Sequence, residues 1–296
     1  MILEYEEALY ERKKRDDAIT KRVQEHYQFL QSKGYDVVCT MLQGSQNYGL
    51  DIYTEEYQSD VDTKSIVLPS LEDFINNKSP VSTVEIMDND EHAEVKDIRV
   101  MFDMFKKMNL SYIELLYSKV KIINPKYKDL IAEMFENREL IASYNRNQFL
   151  RCIAGMAYEK RKALCHPYPG IIEKIEKYGY DGKQLSHCAR LSDFIDLYVI
   201  GTPLEDCYEA IRPSYLINLK QEKDADGNPL SVNDAIALCD FYCNHVKEIK
   251  DENLDPEDKI DERGLRILNK IRYEMLKRKL KEELDNETTL VWKENN

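Results

Sequence analysis

Apolar positions recur at helical spacing from about Glu4 to Ser32, with Leu9, Ile19, Val23, Tyr27 and Leu30 near one face and charge elsewhere. The cluster Arg12-Lys13-Lys14-Arg15 on this helix suits phosphate binding or, as the commoner explanation, a solvated face. Gly34 ends the helix, and a β-branched apolar run, 36–42, follows at once as a strand until Gly44 breaks it. A second apolar run, Ser65-Ile66-Val67-Leu68, is approached through Asp60-Val61-Asp62. Pro69-Ser70 opens a short helix over 71–75, and 80–86 reads as extended. A third strand then leads to Asp97, a plausible N-cap for the helix carrying Ile98, Met101, Phe102, Phe105 and Met108. Residues 120–124 suit an edge strand. Beyond Pro125 the pattern turns helical: 127–135, 147–165, 184–201, 233–250 and 258–284 all read as amphipathic helices. The fold class this predicts is α/β (α+β): a small mixed sheet with flanking helices over 1–124, then a mostly helical domain over 125–285. The polar tail 286–296 is expected to fray, with Trp292 as its one anchor.

Composition narrows the classes. Apolar residues make up 43% and charged residues 33% of 296, with 20 tyrosines, which describes a folded protein with a highly charged surface. A net charge of −13 argues against holding nucleic acid by bulk electrostatics, although a local basic groove is compatible with it. Seven cysteines without paired spacing suggest reduced thiols, the opening residues carry acid where a leader would carry base, and no run has membrane-span length. A cytoplasmic location without membrane association is expected. Cys239 and Cys243 with His245 lack a second pair for zinc and read as buried thiols. Asp224-x-Asp226-Gly227 opens like a calcium loop but lacks the later ligands and closing Glu. No nucleophile elbow, Walker loop or dinucleotide fingerprint occurs.

The chemistry concentrates at Gly44-Ser45-Gln46-Asn47-Tyr48-Gly49-Leu50, followed by Ser59-Asp60-Val61-Asp62, with a polar loop expected between Asp51 and Gln58. A strand running into Gly-Ser offers consecutive backbone N–H groups to an anion, and a helix beginning there would add its dipole. Side chains alternate along a strand, so Asp60 and Asp62 share a face. Paired carboxylates opposite such a turn suit Mg²⁺ bridging to substrate phosphates.

This arrangement resembles the DNA polymerase beta superfamily of nucleotidyltransferases, in particular a branch known only as predicted nucleotidyltransferases with Gly-Ser-x-x-Tyr-Gly-Leu and Ser-Asp-x-Asp. The resemblance extends to Gly179-Tyr180-Asp181-x-Lys183-x-x-x-His187-x-x-Arg190-Leu191, which matches that branch position by position. It implies transfer of a nucleoside monophosphate from an NTP such as ATP to an acceptor hydroxyl, with release of pyrophosphate. Asp60, Asp62 and a third, strand-borne carboxylate would hold Mg²⁺ or Mn²⁺. Glu94 is the expected third ligand, and Asp97 is its rival. His92 shares the face of Glu94 and suits either phosphate contact or a surface position. Gly44, Ser45 and Tyr48 would bind the nucleotide from one side, and Lys183, His187 and Arg190 from the other. Those three stand at i, i+4 and i+7, on one helix face. With Asp193 and Asp196 nearby, the same stripe also suits a salt-bridged surface helix, and upstream Glu159-Lys160-Arg161-Lys162 suits solvated surface more than added charge for the same groove. The acceptor stays open; the acidic balance favours a protein or small molecule over a long nucleic acid. The competing class is a non-catalytic nucleotide sensor or partner-binding protein on the same fold.

Overall fold

The structure, a computed structural model, describes residues 2–52 and 58–294, with side chains over 12–52 and 58–286. The expected polar loop falls largely on 53–57, and Leu9 and Trp292 fall on undescribed side chains, so these lie outside the described residues.

Strands β1 (Asp36–Gln43), β2 (Asp62–Leu68), β3 (Ser82–Ile86), β4 (His92–Asp97) and β5 (Lys121–Ile123) form one mixed sheet in the order β3-β4-β2-β1-β5. Only β2 and β4 run parallel; the other neighbours are antiparallel. The first helix, α1 (Ile2–Ser32), covers one face, where Ile19, Val23, Tyr27 and Leu30 bury against Val37, Leu42, Val61, Val67, Ala93 and Val95. Arg12, Lys13 and Lys14 are exposed, as a solvated face requires, whereas Arg15 reaches Asp51 at 3.6 Å.

Three short helices and one longer one follow the strands: α2 (Ser45–Tyr48), α3 (Leu71–Ile75), α4 (Ile98–Lys106) and α5 (Leu110–Ile113). Ser70 and Asp73 form a capping box on α3, and Asp97 caps α4 by accepting from the Arg99 N–H at 2.8 Å. The rest of the chain is helical: α6 (Lys128–Glu136), α7 (Arg138–Ser143), α8 (Arg146–Ala163), α9 (Ile172–Tyr178), α10 (Gly182–Val199), α11 (Leu204–Tyr208), α12 (Pro213–Lys220), α13 (Val232–Asn253) and α14 (Glu262–Glu294). The short α7, α9, α11 and α12 were invisible to periodicity, because one or two turns do not establish a repeat. One buried cluster runs from Val38, Ile66 and Leu68 on the second sheet face through Phe102 and Phe105 of α4 to Leu191 of α10 and Met275 of α14. Helix α14 also returns to the sheet, where Lys279 pairs with Asp36 at 2.7 Å. None of the seven cysteines forms a disulfide, and among the described residues no helix is long and apolar enough to cross a membrane.

A polar network inside the α1 face ties that helix to the start of β2. Glu91, 1% exposed, accepts the Val61 N–H at 2.8 Å, pairs with Arg22, and accepts from His26 at 3.0 Å. A carboxylate only accepts, so His26 donates through Nε2 and its Nδ1 takes the Thr63 hydroxyl at 2.9 Å. Burial, then the charge of Arg22, hold the imidazole down to about 4 from an ordinary value of 6.5. Its stabilising effect is therefore complete above pH 6.5 and lost as pH falls toward 4, by up to about 3 kcal/mol. Urea midpoints from pH 7 to pH 4 should fall steeply in the wild type and less steeply in His26→Gln. Parallel curves would refute this role for His26.

Candidate functional site

At the C-terminal end of β1 the chain turns at Gly44, whose φ of 86° and ψ of −151° suit glycine alone. A Cβ there would stand 3.9 Å from Asp62 Oδ2, so the turn and that carboxylate face each other. Helix α2 is a single turn and adds little dipole to the backbone amides. The interior residues of the motif brace this corner. Gln46 Nε2 donates to the Asp60 carbonyl, and Asn47 Nδ2 donates to the Leu42 carbonyl at 2.7 Å. The Lys119 N–H then closes on Asn47 Oδ1 at 3.2 Å. Tyr48 is buried, and its hydroxyl donates to Glu114 Oε2.

Asp60 lies just ahead of β2 and is exposed, Val61 points into the α1 core, and Asp62 opens the strand. Strand alternation turns the Asp62 carboxylate away from α1, whereas Asp60, which the alternation alone would have placed on the same face, precedes the strand. Burial, supported by the charge of Asp60, raises the Asp62 carboxyl against the opposing pull of His92 and Lys183. His92, more than half exposed, stands 3.7 Å from Asp62, while no lysine or arginine lies within ion-pair distance of Asp62 among the described residues.

Glu94 pairs in register with Lys64, two residues along from Asp62, and shares its face. Its carboxylate is already engaged: Gln43 Nε2 donates to it at 3.0 Å, with Lys96 Nζ at 3.4 Å and Lys64 Nζ at 3.5 Å. Burial would raise this carboxyl, but the lysine charges and the Gln43 bond outweigh it and hold it below the usual carboxylate range. Asp97, the rival, is not brought to this place. It is paired with Val67 at the other end of β4, five residues from the level of Asp62, or about 16 Å. There it caps α4 and pairs with Arg99 at 2.6 Å, which accounts fully for its carboxylate.

Across the cleft stands α10. Asp181 caps it, accepting from the Lys183 N–H at 3.0 Å, and Glu222 accepts the Gly182 N–H, also at 3.0 Å. Gly182 is packed so closely that a Cβ would lie 2.2 Å from the Leu219 carbonyl. Alanine's better helix propensity is worth at most about 1 kcal/mol, and overpacking costs about 1–3 kcal/mol. Gly182→Ala should therefore lower the urea midpoint. A raised midpoint would mean that α12 moves aside freely.

Lys183, His187 and Arg190 line the same cleft of about 160 Å³ as Gly44, Ser45, Tyr48 and Asp62. The stripe is not a salt-bridged surface. Asp193 pairs with Arg212 at 2.6 Å and Asp196 with His245 at 2.8 Å, while Arg190 is only 4% exposed. Its guanidinium stacks 3.8 Å from the centre of the Tyr48 ring, and Nε and Nη1 are buried without a hydrogen-bond partner. Burial, then the charges of Arg190, Lys160, Lys183 and Lys220, push the His187 imidazole well below the ordinary histidine range. Lys220, at the end of α12, lines the cleft as well. Lys160 of α8 is partly buried beside it rather than solvated, and burial followed by the charge of Lys183 lowers its ammonium. Lys160, Lys183 and Lys220 have no carboxylate within ion-pair distance among the described residues.

Lys220, Gln46 and Glu91 escape sequence reasoning: α12, which carries Lys220, is too short to show in the periodicity. Lys160 stands in a charged run read chiefly as solvated surface, because helical spacing leaves the direction of each of its side chains undecided. No group of three His, Cys, Asp or Glu side chains suited to a metal occurs among the described residues. No protein-family model matches the chain, and no curated protein matches it.

Proposed function

We propose that the protein is a nucleotidyltransferase that moves a nucleoside monophosphate from an NTP to an acceptor hydroxyl. The observation that carries this reading is the meeting, in one cleft, of a carboxylate with no lysine or arginine within ion-pair distance and a wall of cations with no carboxylate within that distance, among the described residues. A metal-bound polyphosphate satisfies both sides at once. The hard oxygen donors of Asp60 and Asp62 fit Mg²⁺ or Mn²⁺, with phosphate oxygens completing a shell that the chain alone leaves open. Bound there, the metal would supply Lewis-acid polarisation of the phosphates and activation of the attacking oxygen.

The chain's own residues divide the remaining work. Gly44 lets the backbone approach the phosphates, and Ser45 adds a hydroxyl. Arg190 offers its two unpartnered donors, with Lys183 and Lys220 balancing the rest of the charge. Tyr48 fixes the plane of Arg190, and His187 donates or accepts at the base of the cleft. In the transfer itself the acceptor oxygen bonds to the α-phosphorus as the bond to the bridging oxygen breaks, and pyrophosphate leaves with that electron pair. Glu94 serves as a third ligand only if it releases Lys64 and Lys96. On the present geometry it steadies those two lysines instead. In this reading a catalytic part, 1–124, carries the carboxylates and a helical part, 125–285, closes over the phosphates, in a cytoplasmic protein of nucleotidyltransferase-like fold.

The test is transfer of label from each α-labelled NTP, with Mg²⁺ or Mn²⁺ and cell extract, comparing wild type with Asp62→Asn. Label appearing only with wild type supports the reading. NTP binding without transfer favours a nucleotide sensor, and neither binding nor transfer overturns both.

A further inference from the structure

The cationic cleft does not end at Arg190. Tyr48, His187 and Arg190 also wall a second cavity of about 650 Å³, which is floored by α5 and α8 and flanked by Lys160. Arg151, Gly155 and Tyr158 carry that cavity into a third, of about 320 Å³, reaching Lys247 and Lys250 of α13. The three spaces share walls and form one track. From Lys160 to Arg151 it follows α8 for nine residues, about 13 Å.

Its lining differs from the rest of this acidic surface. Lys160 and Lys247 have no carboxylate within ion-pair distance among the described residues. Arg151 pairs with Asp258 at 3.5 Å and Lys250 with the adjacent Asp251 at 2.7 Å. Such surface pairs are weak and yield to a stronger anion. Two acidic groups also line it: Glu114, which is engaged by Tyr48, and Glu159, which stands 3.6 Å from Lys162. Tyr158, 57% exposed, presents a ring between the two groups of cations, with the Lys162 ammonium 5.6 Å from its centre over one face. Cations along a groove with an exposed aromatic face are what a single strand needs for its phosphates and one stacked base.

We infer that the acceptor is the end of a single-stranded polynucleotide laid along α8, an inference that rests on the nucleotidyl-transfer reading. Its terminal hydroxyl faces Asp62, its last phosphates lie on Lys160, Arg151 and Lys247, and one base stacks on Tyr158. The terminal oxygen bonds to the α-phosphorus of the NTP, pyrophosphate leaves with the electrons of the broken bond, and the hydroxyl proton passes to water. The net charge of −13 is consistent with this, because repulsion elsewhere confines contact to the track.

The probe is a fluorescein-labelled single-stranded RNA 12-mer, followed by anisotropy across a salt series, with a fluorescent ATP analogue titrated separately. About three phosphate contacts predict a slope near −2 for log affinity against log salt. Tyr158→Ala and Lys247→Glu should each weaken RNA binding by about tenfold, and wild type should lengthen the RNA with an α-labelled NTP. The inference is overturned if the 12-mer fails to bind, if both variants bind it like wild type, or if an acidic peptide competes for the track and carries the label instead. If the ATP analogue still binds in those cases, only the acceptor assignment fails. If the analogue does not bind to wild type, the nucleotidyl-transfer reading fails with it.

Discussion

Asp62→Asn should reduce nucleotidyl transfer by about 10³-fold or more while leaving the protein as stable as wild type or slightly more so. The rate effect follows from the position of the residue. Asp62 alone is both on the strand and directly across the Gly44 turn, whereas Asp60 is exposed and two residues ahead of the strand. Removing one metal-holding oxygen anion from a phosphoryl-transfer site forfeits several kcal/mol of transition-state stabilisation, and about 4 kcal/mol is three decades of rate. The stability effect has the opposite sign. In the resting protein Asp62 is partly buried next to Asp60, and burial outweighs the pull of His92 and Lys183, so its charge opposes folding. Asparagine keeps the shape and removes that charge. Activity lost together with a large fall in thermal midpoint would point to a structural aspartate instead. The same assay on Glu94→Gln separates the roles of the two strands. A metal ligand would fall as far as Asp62→Asn, whereas a residue that steadies Lys64 and Lys96 would lose less activity and more stability.

What could be read in advance follows the range of each interaction. Asp60 and Asp62, Gly44, and the spacing of Lys183, His187 and Arg190 are local patterns. Strand alternation and helix periodicity specify their faces without knowledge of the neighbours. The sheet's strands and the capping of α4 by Asp97 were legible for the same reason. The choice between Glu94 and Asp97 was not, because strand parity gives a face, whereas strand pairing gives the level along it. The parallel register of β4 on β2 carries Asp97 to the far end. Lys160 shows the limit in another way. Among Glu159-Lys160-Arg161-Lys162 the sequence has no means to tell the one lysine turned toward His187 from Arg161, which pairs with Asp240, and Lys162, which stays exposed. Gln46 and Glu91 support the aspartates through single hydrogen bonds across 14 and 30 residues, contacts that no periodicity encodes.

Arg190→Met should weaken NTP binding in the absence of divalent metal by about 10²-fold, and Arg190→Lys by about tenfold. Two guanidinium donors, Nε and Nη1, are buried without partners, so the folded protein already bears the cost of desolvating them. The two donors point to opposite sides of the guanidinium, so a phosphate that accepts from one of them recovers that donor's cost and forms a charge-assisted bond worth about 1.5–3 kcal/mol. Lysine keeps the charge but not the fixed planar direction of the guanidinium donors, which gives the intermediate value. Methionine fills similar volume and packs on the Tyr48 ring without orphaned donors, so the fold should tolerate it. One neighbour opposes this. Glu114 is buried, and burial raises its carboxyl against the Tyr48 bond and the charges of Arg190 and Lys64. Losing Arg190 pushes that carboxyl further toward its protonated form, which keeps a hydrogen bond with Tyr48 and avoids an isolated buried charge. Titration with a fluorescent NTP analogue in EDTA, alongside urea unfolding of each variant, separates the outcomes. Unchanged affinity in a folded Arg190→Met protein would mean that the phosphates lie elsewhere. A graded loss from arginine through lysine to methionine would identify α10 as the wall that holds them.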